Sequence, residues 1–348
     1  MFRYNPSLDG IRAIAILAVV AFHATTPFAR GGFVGVDVFF VLSGFLITSL
    51  LRDEIEQHGN IRLARFYGYR FLRLYPSLAL VLAAYLAAAP SLWPDESAGQ
   101  SALLAAMYLT DYSSAFWQSP EVLRHTWSLS VEEHFYLLWP LALPMVVSTR
   151  NPAAILAMIY AAATAWRVTN AVWLGWDLTY YRFDTRLSGL VLGAMLSYVG
   201  EHALVRRWSW FAWPAIVLVI VGGAHRQVAG LVTAIPVAEL ATALMILTVR
   251  ANPSHRMLSA APMVYIGKLS YGVYLWHFPI AVWLRPQIGW EGTLAWSLGL
   301  AIVAAAVVYH FVDLPLQRWR HRNREASFRE RKEWERSGIT PHRASPDP

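Results

Sequence analysis

The chain has 348 residues, of which 56% are hydrophobic and only 15% charged; soluble domains carry roughly 25% charged residues, so an ordinary water-soluble fold is excluded and a bilayer is the natural solvent. The net charge of +7 does not argue for nucleic acid, because the basic residues sit in short segments between apolar runs and in the tail rather than on one soluble face. The absence of cysteine excludes disulfides, thiolate metal sites and an acyl-cysteine intermediate.

A spanning helix needs about 20 mostly apolar residues. Ten segments meet that rule in chain order, near 10–28, 33–51, 73–90, 127–147, 152–171, 186–200, 209–224, 229–249, 263–284 and 293–312. The first carries Arg12 and His23 and lacks a small-residue cleavage site, so it reads as a retained helix and not a signal peptide. The apolar stretch 101–110 is short and reads as a re-entrant or interfacial helix. With the N-terminus inside, 22 of the 29 Lys and Arg residues fall on the inner side and 7 on the outer, which sets the orientation. The expected fold class is therefore all-α, a polytopic membrane protein of about ten transmembrane helices with both termini cytoplasmic. Residues 1–317 form the transmembrane domain, and 318–348 form a basic, polar cytoplasmic tail that is solvated or held by anionic lipid.

Ionisable residues inside a membrane are expensive and mark functional sites. His23 and Asp37 flank a short outer turn, Pro27 to Gly32, and at about 1.5 Å per residue they reach a similar depth. Asp37 is expected to orient His23 as a general base; the alternative is a buried histidine satisfied by a carbonyl and an aspartate that caps its helix. Arg12 lies eleven residues before His23, about 16 Å deeper, beside an inner segment bearing Arg62, Arg65, Arg70 and Arg73. Clustered guanidiniums suit phosphate, so Arg65, Arg70 and Arg73 are expected to grip the donor; the alternative is the ordinary positive-inside surplus.

The run His125-Thr-Trp127-Ser-Leu-Ser130-Val-Glu132-Glu133-His134-Phe-Tyr136 opens a helix from the outer side. Helix capping explains some of its polarity. An acceptor-binding lip is the rival reading, with Trp127 stacked on a sugar and Ser130, Glu132 and Glu133 beside it. Arg182, Asp184 and Arg186 open a later helix as an ion-pair network or as part of that acceptor side. Tyr271, Tyr274 and His277 recur every three residues and share a helix face, lining a channel or satisfying one another.

These blocks resemble the acyltransferase-3 family of integral membrane O-acyltransferases. The resemblance is carried by Leu8-Asp9-Gly10-Ile-Arg12 with His23 eleven residues on, by Gly35-Val-Asp37-Val-Phe-Phe-Val-Leu-Ser43-Gly44-Phe45, by Arg70-Phe-Leu-Arg73-Leu-Tyr-Pro76, by Trp127-Ser-Leu-Ser-Val-Glu132-Glu133-His-Phe-Tyr136, by Arg182-Phe-Asp184 and by Leu269-Ser270-Tyr271-Gly-Val-Tyr274-Leu-Trp-His277. Ser130 and His134 stand where such proteins often carry alanine and glutamine, and Tyr69 replaces a frequent arginine. The resemblance implies an enzyme of the bacterial cytoplasmic membrane. Its donor would be acyl-CoA, foremost acetyl-CoA, bound from the cytoplasm, and its acceptor a hydroxyl of a polysaccharide, glycolipid or other carbohydrate; no metal is implied. It also implies that Arg12 and His23 are both essential.

The expected catalytic residues are thus His23, Asp37 and Arg12, with Arg12 one candidate for stabilising the oxyanion. The donor site is expected at Arg65, Arg70 and Arg73, and the acceptor site at Trp127, Ser130, Glu132, Glu133, Arg182, Asp184, Tyr271 and His277. Two other activities fit the same pattern: acylation of a small, macrolide-like natural product, and a non-enzymatic transporter or flippase, for which buried charges are also typical.

Overall fold

The computed structural model describes residues 4–200, 203–252 and 255–319. Every regular element among them is helical. Helices α1 (Pro6–His23), α2 (Gly35–His58) and α3 (Leu63–Leu92) lead into two short ones, α4 (Ala98–Ala106) and α5 (Thr110–Trp117). After a 3₁₀ turn over Arg124–Thr126 come α6 (Trp127–Val147), α7 (Pro152–Leu174), α8 (Asp177–Tyr180) and α9 (Phe183–Leu196). The chain closes with α10 (Ala203–Gly222), α11 (Ile235–Ala251), α12 (Ala261–Leu284) and α13 (Trp290–Val308). Local chemistry sets several of these ends. Asn5 accepts a hydrogen bond from the Ser7 amide while Pro6 opens α1, and Asn151 with Pro152 does the same for α7, as capping and the missing proline N–H favour. Gly59, at φ +76°, terminates α2 in the left-handed region.

Among the described residues, six stretches are long and apolar enough to cross a membrane: Pro6–His23, Gly32–His58, Leu63–Leu92, Pro152–Leu174, Gly230–Ala251 and Trp290–Trp319. The other four predicted spans coincide with helices outside that set. α9 has only 14 residues, the apolar part of α10 covers Trp210–Gly222, and α6 and α12 carry Glu132, Glu133, Lys268 and His277 within their length. The short stretch 101–110 resolves into α4 and the start of α5. Apart from Arg318 and Trp319, the predicted tail lies outside the described residues. Large apolar side chains such as Leu137, Leu141, Met145, Trp173, Leu218 and Trp296 face outward, as the surface of a protein in lipid requires.

Two glycine contacts determine which helices meet around the site. A Cβ on Gly267 of α12 would sit 1.9 Å from the Asp9 carbonyl of α1, and one on Gly44 of α2 would sit 1.9 Å from the Leu190 carbonyl of α9. Only a bare Cα permits such approach, the small-residue packing that joins helices in membranes. α1 and α12 run in the same direction, so Gly267 meets Asp9 near one end and His277 meets His23 near the other.

Candidate functional site

The end of the bundle where α1 begins is hollow. A cavity of about 750 Å³ is lined by Arg12, Arg62, Arg65, Arg70, Arg73 and Lys268. Asp9, Asp53 and Glu54 share its wall, with Arg12 3.4 Å from Asp9 and Arg62 3.0 Å from Glu54. Cations exceed acids there, so the cavity favours an anion. A narrower chamber of about 140 Å³ shares Arg12, Ser43, Arg70, Arg73, Tyr136 and Lys268 with it and continues between Val36, Phe39, Phe40 and Leu129 as far as Ser128 and Tyr274. Arg70 is held by the Tyr136 ring, 3.6 Å from its centroid, and by Glu133 at 3.7 Å. Arg65 lies 5.3 Å from the Tyr69 ring centroid.

Next to Ser128 and Tyr274 lies a cluster of histidines, the Tyr274 ring 5.5 Å from the rings of both His125 and His277. His23, at the last turn of α1, places its Nδ1 2.9 Å from Nε2 of His277, with the rings stacked at 5.1 Å. His277 places its own Nδ1 3.0 Å from the Val273 carbonyl. A carbonyl can only accept, so in the neutral pair Nδ1 of His277 carries the proton and its Nε2 is an acceptor. His23 must therefore donate from Nδ1, which leaves the lone pair of its Nε2 free. His125 closes the cluster, its ring stacked on Phe278 at 4.9 Å and 5.8 Å from His277. Burial pushes the His125 imidazole well below its ordinary pKa. Over the top, His225 packs 4.7 Å from Phe22 and 5.1 Å from Trp176.

A model of the family described as an acyltransferase domain matches residues 5–312. The chain belongs to the acyltransferase-3 family. Among its relatives, the peptidoglycan O-acetyltransferase OatA of Listeria monocytogenes is 30% identical over 91% of this chain and 56% of its own length. The O-acetyltransferase OatA of Staphylococcus aureus is 29% identical over 91% of this chain and 58% of its own. A putative peptidoglycan O-acetyltransferase, YrhL, of Bacillus subtilis is 28% identical over 97% of this chain and 59% of its own. The chain thus spans a little over half the length of these relatives. No solved structure matches it.

In this member of the family several expected partnerships differ from those read in the sequence. Asp37 does not meet His23. Its Oδ1 accepts from Arg186 at 2.7 Å, both side chains buried, and the parallel packing of α2 on α9 is what aligns them; His277 takes the place beside His23. Arg12 lines the two cavities instead of joining the histidines, since eleven residues of helix separate it from His23 by about 16 Å. Arg65, Arg70 and Arg73 all line the basic cavity.

The expected acceptor lip divides into three. Glu132 accepts from Ser43 at 2.7 Å and, with Tyr271, lines the narrow chamber, while Glu133 pairs with Arg70; these three stand on the basic side. Trp127 is buried, 4.9 Å from the Tyr180 ring and 5.3 Å from the Arg186 guanidinium, with no open face for a sugar. Ser130 is buried too, accepting from the Thr110 amide at 3.2 Å, and ties α5 to α6. Arg182 and Asp184 form a forked ion pair, Nε to Oδ1 at 3.0 Å, braced by Trp166 donating to Asp184 at 2.8 Å, which is the network alternative. The expected acceptor site left out His125, Ser128 and Tyr274. Their signals were present in the run from His125 to Ser128 and in the spacing of three between Tyr274 and His277.

Proposed function

We propose that this protein transfers an acyl group, acetyl first among the candidates, from acyl-CoA to a hydroxyl of a carbohydrate, with His23 as the general base. The observation that carries this reading is the free Nε2 lone pair of His23, fixed by the His23–His277–Val273 hydrogen-bond chain. His23 takes the proton from the acceptor hydroxyl as the oxygen bonds to the thioester carbonyl carbon. The carbon–sulfur bond then breaks, and the protonated His23 returns its proton to the departing thiolate, so ester and free thiol leave with the base restored.

The charge and volume of the basic cavity support an acyl-CoA head at Arg65, Arg70 and Arg73. The positive-inside bias puts that cavity on the cytoplasmic side of the bacterial cytoplasmic membrane, with ten spans and both termini in the cytoplasm. The relatives named as peptidoglycan O-acetyltransferases support a cell-wall glycan as acceptor.

The test is release of free CoA thiol from acetyl-CoA by the protein in nanodiscs, with soluble peptidoglycan fragments as acceptor and His23→Gln alongside. Release that requires both the fragments and His23 supports the reading. Equal turnover by folded His23→Gln would overturn the base, and donor binding without fragment-dependent release would overturn the acceptor.

A further inference from the structure

A base accounts for half of the chemistry. Attack on a thioester puts negative charge on its carbonyl oxygen, and stabilising that oxyanion is often the largest single contribution to catalysis. Arg12, the one charged candidate read from the sequence, lies about three helical turns from His23. The donors must be sought where the narrow chamber ends.

Two hydroxyls stand there. Tyr274 and Ser128 both line the chamber, and their oxygens are 2.7 Å apart. Tyr274 donates to the His125 carbonyl at 2.7 Å. Ser128 reaches the same carbonyl at 3.4 Å, so the two hydroxyls share one resting acceptor and either can donate across their own short contact. The Tyr274 ring lies 5.5 Å from the rings of both His125 and His277. On α12, Tyr274 is one turn before His277, the residue that orients the base. Of the chamber's other hydroxyls, Ser43 donates to Glu132 and Tyr271 to the Leu74 carbonyl, and Tyr136, Ser270 and Tyr309 also line it.

We propose that Tyr274 and Ser128 are catalytic residues that donate their hydroxyl protons to the thioester oxyanion. The inference rests on the acyl-transfer reading above. A thioester carried up the chamber meets these two hydroxyls before it meets the histidines. Rotation about each C–O bond redirects both protons from their resting acceptors to the carbonyl oxygen. The donors then face one side of the reacting carbon while His23 holds the attacking hydroxyl on the other. No proton leaves either hydroxyl: they donate hydrogen bonds as charge develops and return to rest when the carbon–sulfur bond breaks.

The experiment measures kcat and donor KM for Tyr274→Phe, Ser128→Ala and the double variant in nanodiscs, with thermal melting as a check on folding. Each single variant is expected to lower kcat by about 100- to 1,000-fold, the range for loss of one oxyanion donor, with donor KM unchanged. The double variant should fall below either single one. Unchanged kcat in both single variants, or a loss confined to KM, would overturn the proposal. If Tyr274→Phe does not fold, Ser128→Ala decides alone, since it deletes one oxygen and leaves the helix packing intact. His23→Gln runs in parallel: full turnover there sinks the base, whereas full turnover in Tyr274→Phe and Ser128→Ala sinks only the oxyanion donors.

Discussion

His23 and His277 form a directed pair: His23 donates from Nδ1 to Nε2 of His277 at 2.9 Å, because the Val273 carbonyl already holds the Nδ1 proton of His277. The direction is set two groups away from the reacting atom by a backbone carbonyl that cannot donate. Removing His277 therefore acts on tautomer and ring orientation without touching the base itself. We expect His277→Phe to lower kcat by about 10- to 100-fold, less than the roughly 100- to 10,000-fold expected for loss of a general base. His277→Gln, whose amide oxygen can accept from His23, should recover part of that loss. Steady-state thiol release for the two variants checks this, and equal activity in both would remove the hydrogen bond from the argument.

The arginines of the basic cavity should govern donor binding more than turnover. Arg65→Ala and Arg73→Ala are each expected to raise the KM for acetyl-CoA by about 5- to 30-fold, as loss of a charge-assisted contact implies. Because the cavity is open to solvent, the difference from wild type should shrink as salt is raised. Titration of donor at two ionic strengths measures it, and a fall in kcat with KM unmoved would contradict the assignment.

Asp37 should behave as structure, not as part of the base. Asp37→Asn leaves the buried Arg186 guanidinium without its anion, and breaking such a pair costs about 3–5 kcal/mol. The expected result is a lower melting temperature with the pH dependence of turnover unchanged in the protein that remains folded. A shifted pH profile at unchanged stability would restore Asp37 to the base.

Gly267 is a packing requirement. In Gly267→Val the first added carbon lands 1.9 Å from the Asp9 carbonyl, so α1 and α12 must separate, at about 1–3 kcal/mol or more. Since the same two helices carry His23 and His277, activity should fall with stability. Melting in detergent beside thiol release tests both, and a wild-type melt would mean the helices are not this close.

His225 adds a pH dependence. Burial, and then the neighbouring Arg226, push its pKa down to about 4, against about 6.5 for an unfolded histidine. Between those values the unfolded chain binds the extra proton, so folding stability falls as pH drops from about 6.5 toward 4. His225→Phe removes that titration, and its melting temperature should decline less steeply over this window than that of wild type. Parallel slopes would exclude His225 as a contributor.

Composition and periodicity alone determined the helical membrane class, because an apolar stretch of about 20 residues has few other stable solutions. They also singled out His23, because charge in an apolar run is costly and conspicuous, and the arginines near Arg70, because clustered guanidiniums suit phosphate. Pairing was a matter for tertiary structure. Asp37 and His23 reach similar depth along neighbouring helices, but depth does not say which way a side chain points. The packing of α2 on α9 through Gly44 turned Asp37 to Arg186, and the packing of α1 on α12 through Gly267 turned His277 to His23. Glu132 and Glu133 were read as facing an acceptor because they follow an outer turn. Their rotation about the axis of α6, which linear position does not encode, aims them at Ser43 and Arg70. A sequence records how far along a helix a residue lies; which neighbour that residue meets depends on where helix backbones can approach, and here bare Cα atoms decide it.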